Sequence, residues 1–541
     1  MPQGRSRIEL VNQTARSLAM PQRRVGVLAT VGVFEWGPLH SVTTCIDYGD
    51  FYETFGGLLA SYWSPQMVKD YFDTGGRRAM VVRTVHMTGA NPTTAAKATH
   101  TFATAAGGTY SATNTLTVTG LYYGALGNRI SIAIQDASNG EASKFDLLVY
   151  LDGVLVDGEW YKNLSMYDSD ATYVEDVINS ASTRSRYIRV TDLDVGSALY
   201  GIALDQRPEN ATATLLTGGD DGLTGLVTAD YQGSASDRTG LHALTPASDG
   251  DLLIVPDDTS TTLQNAAIAY CATEKQGKMT FIPDPPASSD KDAIIVQAAA
   301  LTASECRTAI PWPRIKIANP DTSIYGVSDD ITVPPSGRYC GRISKNTQTE
   351  KTKQWTQPSN EIYGLLEGAV GIEMAEVLEP TVRDYVTDYL VNPIVAGTRD
   401  TDGNYGVWVD DCQLGKVTGN FVSVGEQVGV AALRKTFEAY MQRHRTQGNT
   451  ENRRREIEAA FEAELLKWTA AEAFASTNAS EAFYVNVDPE GLSLNNAVVR
   501  DAQQLRILVG LATARPARFV TIIFTRDNRA VESYIQQQMA D

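Results

Sequence analysis

The side chains able to do chemistry are few and scattered. The five histidines, His40, His86, His100, His242 and His444, never stand at a spacing that a metal site uses. His242 lies close to Asp237 and just before Pro246, and reads as a loop histidine rather than a general base. The cysteines Cys45, Cys271, Cys306, Cys340 and Cys412 are far apart, without a CxxC pair, and are expected to be free thiols in a reducing compartment. No GxxxxGK[ST] loop is present to cradle a phosphate, and no GxSxG elbow to present a nucleophile. The nearest approach to an elbow, Gly233-Ser234-Ala235-Ser236-Asp237, lacks the second glycine and sits in a polar stretch.

Two acidic runs look like ligand loops at first. Asp400-Thr401-Asp402-Gly403-Asn404, with Asp411 at the twelfth position, has the outline of a calcium loop, but Tyr405 fills the sixth position where the turn needs glycine. A hairpin turn is the better reading. Gly218-Gly219-Asp220-Asp221-Gly222 reads as a hinge, because glycines let a chain turn sharply and return. One basic stretch stands out. Arg434, Lys435, Arg443, Arg445, Arg453, Arg454 and Arg455 are opposed there only by Glu438 and Glu451. Two readings are open: a helix surface paired with Glu456, Glu458, Glu462 and Glu464, or a docking face for an acidic partner. No aromatic residues interleave as nucleic-acid stacking platforms would.

The elements that position these residues follow an α/β rhythm, interrupted once. Residues 1–22 read as an arm with a short alternating stretch, Ile8, Glu9, Leu10 and Val11. A strand at 25–33, a helix opened by Ser64-Pro65 and closed by Gly75-Gly76, and a strand at 79–85 form one unit. In this reading Ser64 accepts from the helix's first free amides. Residues 93–217 are rich in Thr, Ser, Tyr and Val, with alternating runs at 116–119, 129–134, 145–150 and 187–190 and a short helix at 173–180. They read as a β-rich insertion. The rhythm resumes with strands at 252–255, 279–282 and 314–318 and helices at 262–275 and 290–303, the pattern of a parallel sheet with covering helices. Helices at 424–447 and 450–474 follow. Ile457, Phe461, Leu465 and Trp468 line one face of the second. Strands are predicted at 482–487, 505–510 and 519–524.

Composition narrows the class further. With 541 residues, 43% apolar and 20% charged, the chain can build several full cores. A net charge of −18 argues against wrapping nucleic acid or an anionic membrane. The first 20 residues lack an apolar leader core. The longest apolar run, 25–34, is a buried strand in length rather than a membrane span.

Several stretches in one order resemble the contractile tail sheath family of phage tails, R-type pyocins and related injection systems. Val33-Phe34-Glu35-Trp36-Gly37-Pro38, then Cys45 to Phe51 and Phe55-Gly56-Gly57, are similar to its N-terminal signature. Gly124 to Ile130 resembles its G-x-x-GN turn and strand, and Leu216 to Gly222 its return segment. Pro311-Trp312, Pro334-Pro335-Ser336-Gly337, Gln357-Pro358-Ser359-Asn360, Glu481 to Val485 and Arg515 to Val520 continue the order.

The resemblance implies a multidomain α/β (α+β) fold and a structural, non-enzymatic protein with no catalytic, cofactor-binding or metal residues. It would form stacked hexameric rings around an inner tube and contract to drive the tube through a target envelope. Implied partners are further copies of itself, the tube protein, and baseplate and tail terminator proteins, without direct nucleic-acid contact or membrane insertion. The expected place is a phage tail or contractile particle made in a bacterial cytoplasm. The expected division is an arm at 1–22, a core at 23–92 and 218–333, an outward β-rich domain at 93–217, a tube-proximal domain at 334–525 and a second arm at 526–541. Strand exchange would use Ile8–Val11 at one end. At the other it would use Phe519, Val520, Thr521, Ile522 and Ile523, or a segment with Tyr534 and Ile535. The basic residues 434–455 are candidates to face the tube. The rival readings are a type VI secretion-like sheath component, a non-contractile tube or capsid protein, and an α/β hydrolase-like enzyme.

Overall fold

In the computed structural model, residues 20, 25–88, 91–104, 114–180, 184–193, 207–247, 249–301, 308–349, 355–398, 405–415 and 422–515 are described. The centre is a five-stranded sheet in the order Thr280–Phe281, Leu252–Ile254, Leu28–Gly32, Ala79–Arg83, Thr43–Cys45. The first four strands run parallel and Thr43–Cys45 is antiparallel. Leu28 stands opposite Leu252 on one side and Ala79 on the other. Every residue of Leu28–Gly32 and Ala79–Arg83 is buried, as expected of strands covered on both faces.

Two hydrophobic cores flank this sheet. One gathers Phe34, Phe51, Phe55, Met67, Val68, Tyr71 and Tyr339, with helices Tyr48–Phe55, Ser64–Asp73 and Ser336–Thr349. The other gathers Leu253, Ala267, Ile268, Ile294 and Trp312 under helices Thr261–Thr273 and Lys291–Ala300. Ser260 and Asp290 cap these last two helices by accepting from Leu263 N and Ala293 N. The helix predicted to reach residue 303 ends at Ala300.

Between Arg83 and Leu252 the chain builds a third core. A four-stranded sheet (Val154–Leu164, Phe145–Leu151, Ile130–Asp136, Ala211–Leu215) meets a three-stranded one (Ile188–Asp192, Asn114–Gly120, Thr99–Ala103), all antiparallel. Their inward residues, including Leu116, Val118, Ile132, Phe145 and Val149, pack with helix Val174–Asn179 and with Trp36. The strand Val154–Leu164 had no counterpart in the sequence reading, because Asp157-Gly158 breaks its alternation with a bulge between Leu155 and Trp160.

A fourth core lies at the other end of the chain. Helices Val424–Met441 and Glu451–Ala470 form a hairpin, with the rings of Phe437 and Phe461 stacked at 4.0 Å. Ile457, Phe461, Leu465 and Trp468 are all buried. The first helix stops six residues short of its predicted end, and Gln442 to Asn449 make the turn. Strands Phe483–Asn486 and Leu508–Leu511 pair antiparallel against this hairpin. Among the described residues the resulting mixture of helix and sheet is an α/β fold in the broad sense expected.

Candidate functional site

In a doubly wound sheet a ligand enters at the carboxyl ends of neighbouring strands whose connections diverge. Here that point lies between Leu28–Gly32 and Leu252–Ile254. The crevice is filled by the chain itself. Asp257 accepts from Trp63 N (2.7 Å), Ser64 N (2.9 Å), Ser64 Oγ (2.5 Å) and Val33 N (3.0 Å). A helix N-terminus favours an anion, and this carboxylate takes the position a ligand's anion would need. Burial raises the Asp257 carboxyl above the ordinary aspartate value, and the hydrogen bonds offset only part of that rise. Gly32 closes the crevice further: a Cβ there would meet Ser64 Oγ at 1.8 Å. The cap assigned to Ser64 from sequence is therefore corrected. Ser64 donates its hydroxyl, and the capping acceptor comes from Asp257, far along the chain.

The same device recurs next door. Asp284 accepts from Ser336 N (3.0 Å) and Ser336 Oγ (2.7 Å) at the start of helix Ser336–Thr349. That helix also places Arg338 Nη2 2.7 Å from the fully buried Asp70. Burial raises both Asp70 and Asp284 to about 6.

His86 Nδ1 lies 3.0 Å from Asp230 Oδ2, a pairing the sequence reading did not see. It has the first half of a catalytic triad, but among the described residues no serine, threonine or cysteine is bonded to the His86 ring. Gly225 lies against the ring so closely that a Cβ there would come within 3.2 Å of Nε2. His242 packs edge-on against Tyr270. Ser234 Oγ bonds Ser236 Oγ and accepts from Asp237 N, closing its own turn. Cys45, Cys271, Cys340 and Cys412 are buried, and Cys306 lies outside the described residues. Among the described residues no cluster of three or more His, Cys, Asp or Glu is placed to hold a metal ion. The acidic run 400–404 lies outside them.

The lobe of the third core joins the central sheet through a polar seam. Arg83, fully buried, donates to Gly37 O (3.1 Å) and Tyr123 O (2.5 Å), and Ala125 N donates to Asp221 Oδ1 (2.5 Å). Glu35 accepts from Arg129 Nη1 (2.7 Å) and from Gly57 N (3.2 Å), so one carboxylate ties both sides. Asn128 and Gly219 exchange two hydrogen bonds of 2.8 Å beside it. The glycine run 218–222 thus sits at the return crossing of this seam.

The basic stretch separates into two kinds of residue. Lys435 is buried, with Nζ 2.6 Å from Asp251 Oδ1 and 2.7 Å from Gly250 O. Arg454 is also buried and donates to Pro489 O (2.6 Å) and Asn449 Oδ1 (2.8 Å). Neither is free to meet a partner, which corrects the expectation that all seven residues present one face. Arg455 is exposed but paired with Glu451 (2.9 Å) and Glu490 (2.8 Å), not with the glutamates at 456–464. Arg434, Arg443, Arg445 and Arg453 carry no ion pair among the described residues. Arg445 and Arg453 line a cleft of about 770 Å³ at the hairpin turn, joined by Arg500, which the sequence reading did not single out. Arg500 is distant in sequence and reaches the cleft only through the fold.

The two-stranded sheet Phe483–Asn486/Leu508–Leu511 has no further partner strand among the described residues, although just past it Thr513 makes a bridge with Phe474. Tyr484 and Leu508 are exposed on it. The segments expected to exchange strands, Ile8 to Val11, Phe519 to Ile523, and Tyr534 with Ile535, lie outside the described residues.

No family model matches the sequence, and no curated protein does. Solved structures do match. The sheath tail protein Lin1278 of Listeria innocua aligns over 87% of this chain and 90% of its own, with a TM-score of 0.58 at 15% identity. A sheath tail protein of Desulfitobacterium hafniense aligns over 86% and 91%, with a TM-score of 0.52 at 12% identity. The contracted PVC sheath of an extracellular contractile injection system aligns over 98% of this chain and 99% of its own, with a TM-score of 0.52 at 14% identity. At these identities the likeness speaks for architecture, and it spans nearly the whole chain: this protein has the contractile tail sheath fold.

Proposed function

We propose that the chain is the structural subunit of a contractile sheath, polymerising as stacked rings around an inner tube and shortening to drive that tube through a cell envelope. The observation that carries the reading is the end-to-end match to a contracted injection-system sheath. The crevice filled by Asp257 supports a non-enzymatic role, since it removes the usual ligand position of such a sheet. The likeness to helical sheath assemblies favours self-association as the primary contact. No helix of the described residues is long and apolar enough to cross a membrane, in keeping with a place in a tail or free particle.

In this reading the segments 8–11 and either 519–523 or the stretch around 534–535 add strands to neighbouring copies. The two-stranded sheet is the acceptor that suits them, because an isolated pair of strands is marginal and gains from a further strand. The third-core lobe faces outward and the fourth core faces the tube. Arg434 and Arg443, exposed and outside the cleft, are the residues of the basic stretch that suit a tube contact.

Purified chain viewed by negative stain tests the reading. Tubes of two lengths and diameters are expected. A soluble monomer at all concentrations and ionic strengths overturns it. Deleting residues 2–20 should leave a folded monomer that does not polymerise, and normal sheaths from that truncation overturn the exchange assignment.

A further inference from the structure

The cleft at the hairpin turn is built for a particular kind of visitor. Its rim carries Arg445, Arg453 and Arg500, and Met441 and Leu505 supply apolar lining. The one acidic lining residue, Glu438, is already held by Lys278 at 2.7 Å. Arg445 and Arg500 are exposed and make no ion pair among the described residues. Such a surface fits a segment that brings carboxylates and flat apolar side chains together. A polar rim around an apolar centre is the usual anatomy of a protein interface, and arginine and tyrosine are its enriched residues.

This chain carries such a segment elsewhere. Helix Pro380–Asp388 buries Val382 and Val386 and turns its other side to solvent. Glu379, Asp384 and Asp388 lie exposed there and form no ion pair among the described residues. Beside them stand Tyr385, 41% exposed, and Tyr389, 46% exposed and just past the helix, edge to face at 5.6 Å. The one base of the helix, Arg383, is turned to Asp410 at 3.3 Å. Leu378, at the start of the helix, is exposed as well.

We infer that helix Pro380–Asp388 of one copy seats in the 438–505 cleft of the next, as a contact between two different patches of the same chain. Charge complementarity selects the partner: three unpaired carboxylates meet three guanidiniums. The two tyrosines meet Met441 and Leu505, methionine being able to adapt to an irregular neighbour. A contact between unlike patches propagates into rings or helices instead of closing as a dimer, which suits a sheath. The inference rests on the proposed assembly function.

Charge reversal in the full-length chain tests it. One variant carries Arg445→Glu, Arg453→Glu and Arg500→Glu. The other carries Glu379→Lys, Asp384→Lys and Asp388→Lys. All six side chains are at least partly exposed, so both variants should fold, which circular dichroism and thermal melting check. Each alone should raise the concentration needed for polymerisation by at least about ten-fold, as like charges now face each other. An equimolar mixture should polymerise near the wild-type concentration, since every cleft then meets a helix of opposite charge. Normal assembly by either variant alone, or no recovery in the mixture, overturns the contact. Loss of co-sedimentation with tube protein, with self-assembly unchanged, would give the cleft to the tube and also overturn it. Wild-type chain that never polymerises would fail the assembly reading itself, and the contact with it.

Discussion

The crevice at the central sheet and the cleft at the helical hairpin are both places where helix ends gather charge, and they treat it in opposite ways. At the sheet, Asp257 satisfies three amides and a hydroxyl, leaving nothing for a ligand. At the hairpin, Lys435 and Arg454 are consumed internally, Arg453 donates only to the turn at Gln447 and Gly448, and Arg445 and Arg500 stay exposed. Buried charge in this molecule holds its own elements together. In the proposed assembly, exposed charge is what suits surfaces that form and release, because exposed pairs are weak and screened by salt.

Breaking the internal side of that comparison should have the largest effect. Asp257→Ala strands the amides of Val33, Trp63 and Ser64, and should destabilise the fold by about 3 kcal/mol or more in chemical denaturation. A loss under about 1 kcal/mol would mean that the crevice is not sealed by this carboxylate.

Lys435→Met should cost about 3 kcal/mol, because it leaves Asp251 buried without its cation. Arg434→Met, next to it in sequence, should change stability by no more than about 0.5 kcal/mol. Equal effects at the two positions would erase the distinction between buried and exposed members of the basic stretch.

The buried carboxylates sharpen the comparison through pH. Asp70 sits at about 6 in the folded chain against 3.8 for an ordinary aspartate. Between those values the folded state binds more protons than the unfolded state, so stability falls as pH rises from about 4 through 6. Asp284 acts in the same direction. Asp70→Asn should flatten part of that fall when denaturation midpoints are compared at pH 4.5 and 6.5. An unchanged slope would remove Asp70 as its source.

At the seam the effect should be smaller than at the buried carboxylates. Glu35→Gln weakens a partly exposed pair with Arg129 and should cost about 1 kcal/mol or less. Faster hydrogen exchange at residues 124–129 would mark the seam as the affected region.

Much of the fold was legible because its signals are local. The run Leu28–Gly32 and the helix Thr261–Thr273 show in apolar pattern and caps, and Ile457, Phe461, Leu465 and Trp468 show in helical spacing. The strand Val154–Leu164 did not, since a bulge breaks the period that identifies a strand. The basic stretch was legible as composition but not as a surface. On a helix, adjacent residues point in different directions, and burial is set by what packs alongside.

The sequence by itself determined the alternation of elements, the absence of the familiar phosphate and serine motifs, and the order of sheath-like segments. Only the tertiary structure decided that Asp257 caps a helix more than 190 residues away, that His86 meets Asp230, and that Arg500 joins Arg445 and Arg453. The reason is physical. Periodicity and capping act over one or two turns of chain, whereas a charge finds its partner through contacts between segments that meet only once the cores have formed.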